Sequence, residues 1–352
     1  MKIFMVHEDP WHAGNPYIFT LIEELKRQHP QDIVSWGREL FWSEEIFSYD
    51  IVHFHWPQAF MAGDTHTEND LLKHIREFKR RKVKVVSTCH DLQPHYNQCS
   101  DHSEAMKIVY NCSDMILHLG SFSMTLFEKE YPKSTHVLLP HHLYNTLYKK
   151  FPSKKESAKY LNFAENKKYI ICFGIFRSNE ERNLIINLSK TLDTRIWKII
   201  APGFMNIYSQ MKSLKRIKQR LRKLYYKLRY GIYCTGKSFA PVPDEDVPYY
   251  YGLADIALIH RVKVLNSGNA YMPMLFSKVV VGPDVGNVGP LLKKWGYPVF
   301  DVCNLSTLNK SIEEGLALVK RNIPQLLRKQ QLEEYSTEKV TECLYKYYSS
   351  VI

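Results

Sequence analysis

The stretch that decides the fold is residues 260–287, which read HRVKVLNSGNAYMPMLFSKVVVGPDVGN. An Asn-Ser-Gly turn at 266–268 separates an apolar run from a helix of small residues, and that helix leads into a Val-Val-Val strand and a second glycine-containing turn. This order of elements is typical of a parallel sheet, in which ligands bind at the carboxyl ends of the strands.

The same alternation of strands and helices runs through the chain twice. Short β-branched strands are predicted at 2–6, 50–56, 83–90, 115–119 and 136–140, with helices at 15–28, 68–81 and 121–131. After a polar, Lys-rich and Ser-rich stretch at 148–160, strands resume at 168–176, 195–203, 255–260, 278–283 and 297–301. We therefore predict an α/β fold of two Rossmann-like βαβ lobes facing across a cleft. The lobes are expected at 1–148 and 149–334, with a helix at 335–352 that returns to the first lobe.

Length and composition are those of a globular protein with two cores. The chain has 352 residues, of which 45% are hydrophobic and 24% charged. Its seven cysteines are scattered without C-x-x-C spacing, so they suggest neither a zinc site nor a disulfide framework. No run of apolar residues is long enough for a signal-peptide core or a transmembrane helix. We expect a cytoplasmic protein.

The net charge of +12 is concentrated in one segment and favours an acidic partner. No Asp or Glu occurs between residues 194 and 243, whereas 212–229 carries nine Lys and Arg residues. Aliphatic residues recur there every three or four positions, namely Leu214, Ile217, Leu221, Leu224 and Leu228. This spacing predicts an amphipathic helix.

Three interpretations of this basic helix remain open. The helix could be docked to the core with its basic face in solvent, it could lie on anionic lipid, or it could bind nucleic acid. No nucleic-acid-binding motif accompanies it, so nucleic acid is the least favoured partner. The candidate membrane-surface residues are Lys215, Arg216, Arg220, Arg222 and Lys223. We expect peripheral association with the inner face of the plasma membrane.

Two common nucleotide-binding motifs are missing from the sequence. The segment after the first predicted strand contains a single glycine instead of G-x-G-x-x-G, and no G-x-x-x-x-G-K-[ST] occurs. Hydride transfer and P-loop phosphotransfer therefore lose their usual sequence support.

The candidate phosphate-binding residues lie in the second lobe. Gly174 and Arg177 follow a predicted strand, where bare backbone and a guanidinium can meet a phosphate. Asn266, Ser267 and Gly268 stand where a helix begins, and the free amides of such a start favour a diphosphate. An ordinary turn and an ordinary helix cap are the alternatives. Their occurrence together in one lobe favours a diphosphate site.

The order of motifs resembles that of the GT-B glycosyltransferases, particularly bacterial enzymes similar to families 4 and 70, the latter glucuronosyltransferase-like. FGIFR opens the second lobe, VPDEDVPYYYGLADIALI follows, and LNSGNAYMPMLFSKVVVGPDVGNV comes next, while DIVHFHWP and STCHDLQPH in the first lobe are similar to strand-end motifs of these enzymes. The resemblance implies transfer of a sugar from a nucleotide diphosphate, UDP or GDP, without a metal or other cofactor.

The resemblance also implies roles for individual residues of the second lobe. Gly174, Arg177, Ser267 and Gly268 would line the donor diphosphate, and the turn at 238–247 would approach the base and ribose. Arg261 and Lys263 are the additional expected phosphate partners.

Two family features have no counterpart in the chain. Family-4 enzymes carry two glutamates around the second phosphate turn, but no acidic residue lies between Asp255 and Asp284. The lysine that usually follows the arginine of the FGIFR motif is also missing, and Arg182 is the nearest candidate to replace it.

The first lobe supplies candidates for the chemistry. His90, Asp91 and His95 follow a predicted strand. Asp91 is the candidate base if transfer inverts the anomeric centre, and the resemblance assigns His90 to the donor sugar or its phosphate. Capping of the following turn is the alternative role for this pair. His55 and His95 are candidate sugar contacts, with a semi-buried structural role as the alternative for His55. His141 is assigned either to the donor or to a hinge.

The sequence therefore predicts a glycosyltransferase that extends a glycan, expected to be lipid-linked, in the assembly of a surface polysaccharide such as a capsule. A nucleotide-sugar 2-epimerase of the same fold is an alternative that needs more carboxylates than the second lobe offers. A catalytically inactive protein that docks to membrane or nucleic acid is the other alternative.

Overall fold

The structure is a computed structural model that describes residues 1–11, 15–92, 103–205, 213–234 and 242–352. For residues 213–216 it describes the backbone only. The chain divides into two compact units. The first unit comprises Met1–Leu147 and Glu333–Ile352, and the second comprises Tyr148–Leu332.

The strands of the described residues are, in chain order, β1 Lys2–Val6, β2 Ile33–Ser35, β3 Ile51–Phe54, β4 Lys84–Cys89, β5 Met115–His118, β6 Thr135–Leu138, β7 Lys168–Ile171, β8 Trp197–Ile200, β9 Ile232–Tyr233, β10 Ile256–Leu258, β11 Val279–Pro283 and β12 Val299–Phe300.

The helices are α1 Tyr17–Gln28, α2 Arg38–Phe41, α3 Pro57–Met61, α4 Glu68–Arg80, α5 Ser103–Cys112, α6 Ser121–Glu130, α7 Lys154–Leu161, α8 Asn179–Thr191, α9 Ser213–Tyr230, α10 Val247–Leu253, α11 Gly268–Leu275, α12 Val288–Lys294, α13 Ser306–Lys320, α14 Ile323–Tyr335 and α15 Thr337–Val351. A short 3₁₀ helix spans Glu44–Ser48.

Each unit contains one parallel sheet whose strand order reverses once. The first sheet has the order β2-β1-β3-β4-β5-β6, and the second has the order β12-β11-β10-β7-β8-β9. The order reverses between β1 and β3 in the first sheet and between β7 and β10 in the second. Ligands of open parallel sheets bind beyond the carboxyl ends of the strands at such reversal points. Each unit therefore has one edge where a site is expected.

Burial explains why these segments form strands and helices. Every residue of β3 and β11 is buried, because helices cover both faces of a parallel sheet and leave it apolar throughout. Helix α4 shows the complementary pattern of an amphipathic helix. Leu71, Ile75 and Phe78 are buried at steps of three and four, and Thr67 and Asp70 form a reciprocal capping box at its start.

The predicted α/β fold with two parallel sheets is confirmed. The sequence analysis missed β2 and β9, which are only three and two residues long. It also predicted no helix in the polar stretch at 148–160, part of which forms α7. The Ser153 hydroxyl accepts from the Glu156 amide and the Glu156 carboxylate accepts from the Ser153 amide. This capping box stabilises a helix in a segment with few apolar residues.

Two further findings bear on the sequence analysis. None of the helices within the described ranges is both long and apolar enough to cross a membrane. The cysteines of the described ranges, which leave out Cys99, are free thiols.

Candidate functional site

The reversal point of the second sheet is built on a close approach of two backbone segments. Gly174, just beyond β7, adopts a φ of +95°, which favours glycine. A Cβ on Gly203, just beyond β8, would lie 2.1 Å from the Gly174 carbonyl oxygen. Ile175 and Gly203 also form a β-bridge. A side chain at position 203 would therefore require a backbone shift, and one at position 174 would hold the backbone in a strained conformation.

The start of α11 is held against the same loop by a residue that the sequence analysis missed. Asn269 Nδ2 donates to the Phe173 carbonyl oxygen at 2.6 Å, and a Cβ on Gly174 would lie 3.0 Å from that nitrogen. Ser267 is the N-cap in extended conformation, and its side chain makes no capping hydrogen bond. The structure thus brings Gly174 next to the first turn of α11, which contains Gly268. The position of an asparagine directly after the Ser-Gly turn was the available sequence signal.

A buried histidine and an arginine extend this site from the end of β10. Arg261 Nη2 donates to the Ile175 carbonyl oxygen at 3.2 Å. The His260 ring is buried and stacks on Phe176 with 3.7 Å between centroids, and its Nε2 lies 3.5 Å from the same carbonyl oxygen. Burial lowers the pKa of His260 to about 3, so the ring is neutral at physiological pH. Arg261 therefore places a cationic side chain at this loop.

The other basic side chains predicted for this site, Arg177 and Lys263, differ in their contacts. Arg177 is exposed at the start of the loop before α8, and its backbone amide donates to Glu181 Oε2 at 2.6 Å. Lys263 is exposed and lies 3.3 Å from the Glu180 carboxylate. The charge of Lys263 is therefore partly neutralised within the protein, which makes it the weaker phosphate candidate.

The contacts of Arg182 favour a structural role over replacement of the missing family lysine. Its guanidinium donates to the carbonyl oxygens of Phe176 at 2.9 Å, Ser178 at 2.9 Å and Phe204 at 3.1 Å. The side chain thereby ties the loop after β7 to the segment after β8. Nε, Nη1 and Nη2 each donate to a backbone carbonyl oxygen, which favours this structural role.

Asn266 and the predicted base-binding turn also make internal contacts. Asn266 Oδ1 accepts from Asn287 Nδ2 at 2.8 Å, which joins the loops before α11 and α12. In the described part of the turn at 238–247, Asp244 accepts from the Tyr148 hydroxyl at 2.9 Å and Asp246 from the Tyr160 hydroxyl at 2.7 Å. Residues 238–241 of this turn lie outside the described ranges.

A cluster of histidines surrounds Tyr17 in the first unit. His55 follows β3 and His90 follows β4, and His55 Nδ1 lies 3.1 Å from His90 Nε2. The Tyr17 ring packs against both of these and also stacks on His142, with 5.0 Å between centroids. The Trp56 ring stacks on His90 with 4.1 Å between centroids. The structure therefore brings His55 and His90 together at the carboxyl edge of the first sheet.

The histidines of this cluster differ in the contacts of their ring nitrogens. His141 Nδ1 lies 2.7 Å from the His142 carbonyl oxygen, and its Nε2 lies 3.1 Å from the Tyr144 hydroxyl. These contacts favour a structural role for His141 over the predicted sugar contact. His55 Nε2 is buried and has no hydrogen-bond partner among the described residues. A buried nitrogen of this kind is costly, so His55 is the better candidate to bind a ligand.

Burial keeps these rings neutral. It lowers the pKa of His53 to about 3 and that of His141 to about 4, and it lowers the pKa values of His55 and His142 well below 6.5. His53 bridges the Tyr348 hydroxyl at 2.6 Å and the Thr88 hydroxyl at 2.8 Å. Tyr348 comes from α15 and was missed by the sequence analysis, because 295 residues separate it from His53.

The candidate catalytic carboxylate lies beside this cluster. Asp91 follows His90 beyond β4 and is buried, with 5% of its surface exposed. Its charge contributes to raising the pKa values of Cys89 and Tyr110, after the larger effect of burial on each. His95, the other predicted sugar contact, lies outside the described ranges. Among the residues that are described, no group of three His, Cys, Asp or Glu side chains is arranged to hold a metal.

The basic helix α9 is oriented differently from the docked helix that the sequence pattern allowed. Ile217, Leu221, Leu224 and Leu228 are exposed. Arg220 and Arg222 are also exposed, as expected, but Lys223 is half-buried and its pKa is lowered by burial. Lys223 lies on the same face of the helix as Gln219 and Tyr226. It therefore belongs to the inner side of the helix. The side chains of Lys215 and Arg216 are not described.

Comparison with known proteins adds information on the fold. No protein-family model and no curated protein matches the sequence. Solved structures do match over nearly the whole chain. A sucrose-phosphate synthase from Thermosynechococcus elongatus has a TM-score of 0.74 at 13% identity, covering 99% of this chain and 98% of that one. HepE from Anabaena, in complex with UDP and glucose, has a TM-score of 0.69 at 14% identity, covering 99% and 100%.

An epimerase is also among the matching structures. A putative UDP-N-acetylglucosamine 2-epimerase from Listeria monocytogenes has a TM-score of 0.59 at 12% identity, covering 99% of this chain and 96% of that one. At these identities the likeness establishes the fold. It is the α/β fold with two parallel sheets of GT-B glycosyltransferase structures, and assignment to family 4 or 70 stays a prediction.

Proposed function

We propose that this protein is a glycosyltransferase that moves a sugar from a nucleotide-diphosphate donor to a glycan acceptor. The observation that carries the proposal is the site at the reversal point of the second sheet. There Gly174, the first turn of α11 and Arg261 surround one loop. The match to HepE, whose structure contains UDP and glucose, supports a nucleotide-sugar donor.

The groups at this site suit a departing diphosphate. The first backbone amides of an α-helix have no partner within the helix, and the helix dipole adds positive potential at that end. Gly268 occupies the first helical position, so a phosphate oxygen can approach the backbone without meeting a Cβ. Arg261 and Arg177 supply the cationic donors. These groups stabilise the charge that develops on the leaving group, and we propose that the reaction needs no resident metal.

The first unit supplies the proposed acceptor side of the reaction. Asp91 is the proposed general base if the reaction inverts the anomeric centre. His90 and His55 are the proposed contacts to the sugar. The distance of 3.1 Å between His55 Nδ1 and His90 Nε2 fits a hydrogen bond in which one ring nitrogen accepts, and the accepting ring is neutral. A neutral imidazole both donates and accepts, as recognition of a sugar hydroxyl requires.

We further propose that the acceptor is a lipid-linked glycan in surface-polysaccharide assembly. The exposed cations of α9, including Arg220 and Arg222, support a location at the anionic inner face of the plasma membrane. A glycan carried on a lipid would be presented at such a surface.

A nucleotide-sugar 2-epimerase is the second candidate, and the likeness to the Listeria structure favours considering it. The two functions give different products. Incubation with a UDP-sugar alone yields the 2-epimer of the sugar nucleotide in one case. In the other it yields slow release of UDP and free sugar, and faster release when the acceptor is added. Proton NMR of the reaction mixture distinguishes these outcomes.

Thermal-shift measurements with UDP, GDP and dTDP test the donor site. A ligand at 100 times its dissociation constant stabilises the folded state by about 2.7 kcal/mol. We expect one of the three to raise the melting temperature of the wild type, and Arg261→Gln to reduce the shift at equal nucleotide concentration. Lys263→Gln is the matched control, because this lysine pairs with Glu180, and it should retain the shift. No shift with any nucleotide would overturn the proposal.

A further inference from the structure

Helix α9 exposes the apolar side chains that a surface helix normally turns toward its own core. Ile217, Leu221, Leu224 and Leu228 have 58%, 61%, 48% and 75% of their surface exposed. The opposite side of the helix makes the contacts within the second unit. Gln219 is buried there and Tyr226 packs edge-on against Phe204, with 5.0 Å between ring centroids.

These four aliphatic side chains form a continuous stripe. At 3.6 residues per turn they fall within about 60° of the helix circumference. We call them the aliphatic stripe. Exposed cations lie on both sides of it: Lys218, Arg222 and Arg229 on one flank, Arg220 and Lys227 on the other. The helix therefore presents an apolar ridge between two rows of positive charge, while its inner face carries Gln219, Lys223, Tyr226 and Tyr230.

The exposed stripe is energetically unfavourable in water and gains free energy when covered. Apolar surface is worth roughly 25 cal/mol per Å² when it is removed from water. The apolar stripe of a surface helix ordinarily faces the core. In α9 the more polar face packs against the second unit, and the apolar stripe faces outward. This inversion indicates that the stripe contacts something other than its own unit.

The charges on α9 decide what covers the stripe. No acidic residue occurs between 194 and 243, so the segment itself offers its cations no negative charge and favours an acidic partner. A second copy of this helix would bring two rows of cations against two others. A nucleic acid would satisfy the cations but not the leucines. An anionic bilayer satisfies both, because its acyl region receives apolar side chains while Lys and Arg extend to the headgroups.

We infer that α9 is an interfacial helix that lies in the plane of an anionic membrane with its aliphatic stripe inserted between the headgroups. The inference deepens the membrane location proposed above by assigning the insertion to aliphatic residues instead of to charge alone. It does not depend on the donor site.

Flotation of the full-length protein with lipid vesicles tests this inference. The vesicles are phosphatidylcholine with and without phosphatidylglycerol. We expect the wild type to float with the anionic vesicles, and Leu221→Gln/Leu228→Gln to lower the partition coefficient at least tenfold while leaving the net charge unchanged. Leu326→Gln is the matched control, since Leu326 is 69% exposed on α14 of the same unit, and it should float like the wild type.

Salt and folding controls make the result interpretable. Raising the ionic strength from roughly 0.1 M to 1 M screens the cations, so binding that depends on charge alone is lost whereas inserted leucines retain part of it. Each variant should keep the wild-type melting temperature. The single variant Leu228→Gln provides a second test if the double variant does not fold. A change in the thermal shift that nucleotide induces in these variants would report on the donor site and not on membrane binding.

Four results would overturn the inference. In the first two, the double variant binds anionic vesicles as tightly as the wild type, or the wild type binds neither kind of vesicle. In the third, the protein forms a dimer in solution that the double variant abolishes, which would assign the stripe to self-association. In the fourth, an oligonucleotide binds tightly, competes with vesicles and is unaffected by the leucine substitutions, which would assign the cations to nucleic acid.

Discussion

Acidification should unfold the first unit through its buried histidines. In the unfolded chain a histidine titrates near 6.5, whereas burial lowers the pKa of His53 to about 3 and that of His141 to about 4 in the fold. The unfolded state therefore binds more protons below pH 6.5, and stability falls as the pH decreases from 6.5 toward the folded values. Above 6.5 these groups make no pH-dependent contribution.

The size of this loss of stability follows from the same pKa values. At pH 5.5 each such histidine is protonated in the unfolded chain but not in the fold. This lowers the free energy of unfolding by about 1.4 kcal/mol per histidine relative to high pH, because the pKa in the unfolded chain lies one unit above pH 5.5. His53, His55, His118, His141 and His142 share this environment in the first unit. Five together amount to about 7 kcal/mol, which is comparable with the total stability of a domain. We expect cooperative unfolding near pH 5.

Urea denaturation between pH 8 and pH 5.5 measures this effect. The wild type should lose several kcal/mol over this range, and His53→Gln should lose about 1.4 kcal/mol less over the same range. Thr88→Val is the matched control. It removes the same hydrogen bond, to His53 Nε2, but no titratable group, so it should lower stability while keeping the wild-type pH dependence. Equal pH dependence in His53→Gln and wild type would refute the reasoning.

Three substitutions test other parts of the structure. Gly203→Ala places a Cβ 2.1 Å from the Gly174 carbonyl oxygen. We therefore expect urea denaturation to show a loss of more than about 3 kcal/mol in the free energy of unfolding. An unchanged denaturation midpoint would contradict this close approach. Arg182→Ala removes three hydrogen bonds to carbonyls and should cost about 2 to 4 kcal/mol, whereas the exposed Arg195→Ala should change stability by less than about 1 kcal/mol. Asp91→Asn should abolish sugar transfer in a product assay but keep the nucleotide-induced thermal shift, and retained transfer would remove Asp91 from the mechanism.

The parts of the fold that depend on local pattern were predictable from the sequence. Runs such as Val279–Pro283 are apolar throughout because both faces of the strand are covered, and α4 shows the steps of three and four that its buried face requires. The strands β2 and β9 were missed although β10 and β12 are equally short, because only the latter two lie in segments that the sequence pattern marked as strands. Helix α7 was missed because its capping box, and not an apolar stripe, defines it.

The candidate sites were only partly predictable, because long-range contacts leave no local signal. Gly174 and Ser267 stand out by residue type, but the bond from Asn269 to the Phe173 carbonyl depends on the packing of two distant loops. Arg182 looked like a phosphate ligand from its position alone, and its three carbonyl acceptors appear only in the fold. The outward orientation of the aliphatic stripe likewise contradicts the ordinary expectation for an amphipathic helix.

The most direct test of the donor site is a crystal structure of the protein with the nucleotide that gives the largest thermal shift. The account predicts that the diphosphate lies within hydrogen-bonding distance of the Gly268 and Asn269 amides, with the Arg261 guanidinium on a phosphate oxygen. A diphosphate bound elsewhere, with the first turn of α11 covered by side chains, would contradict it.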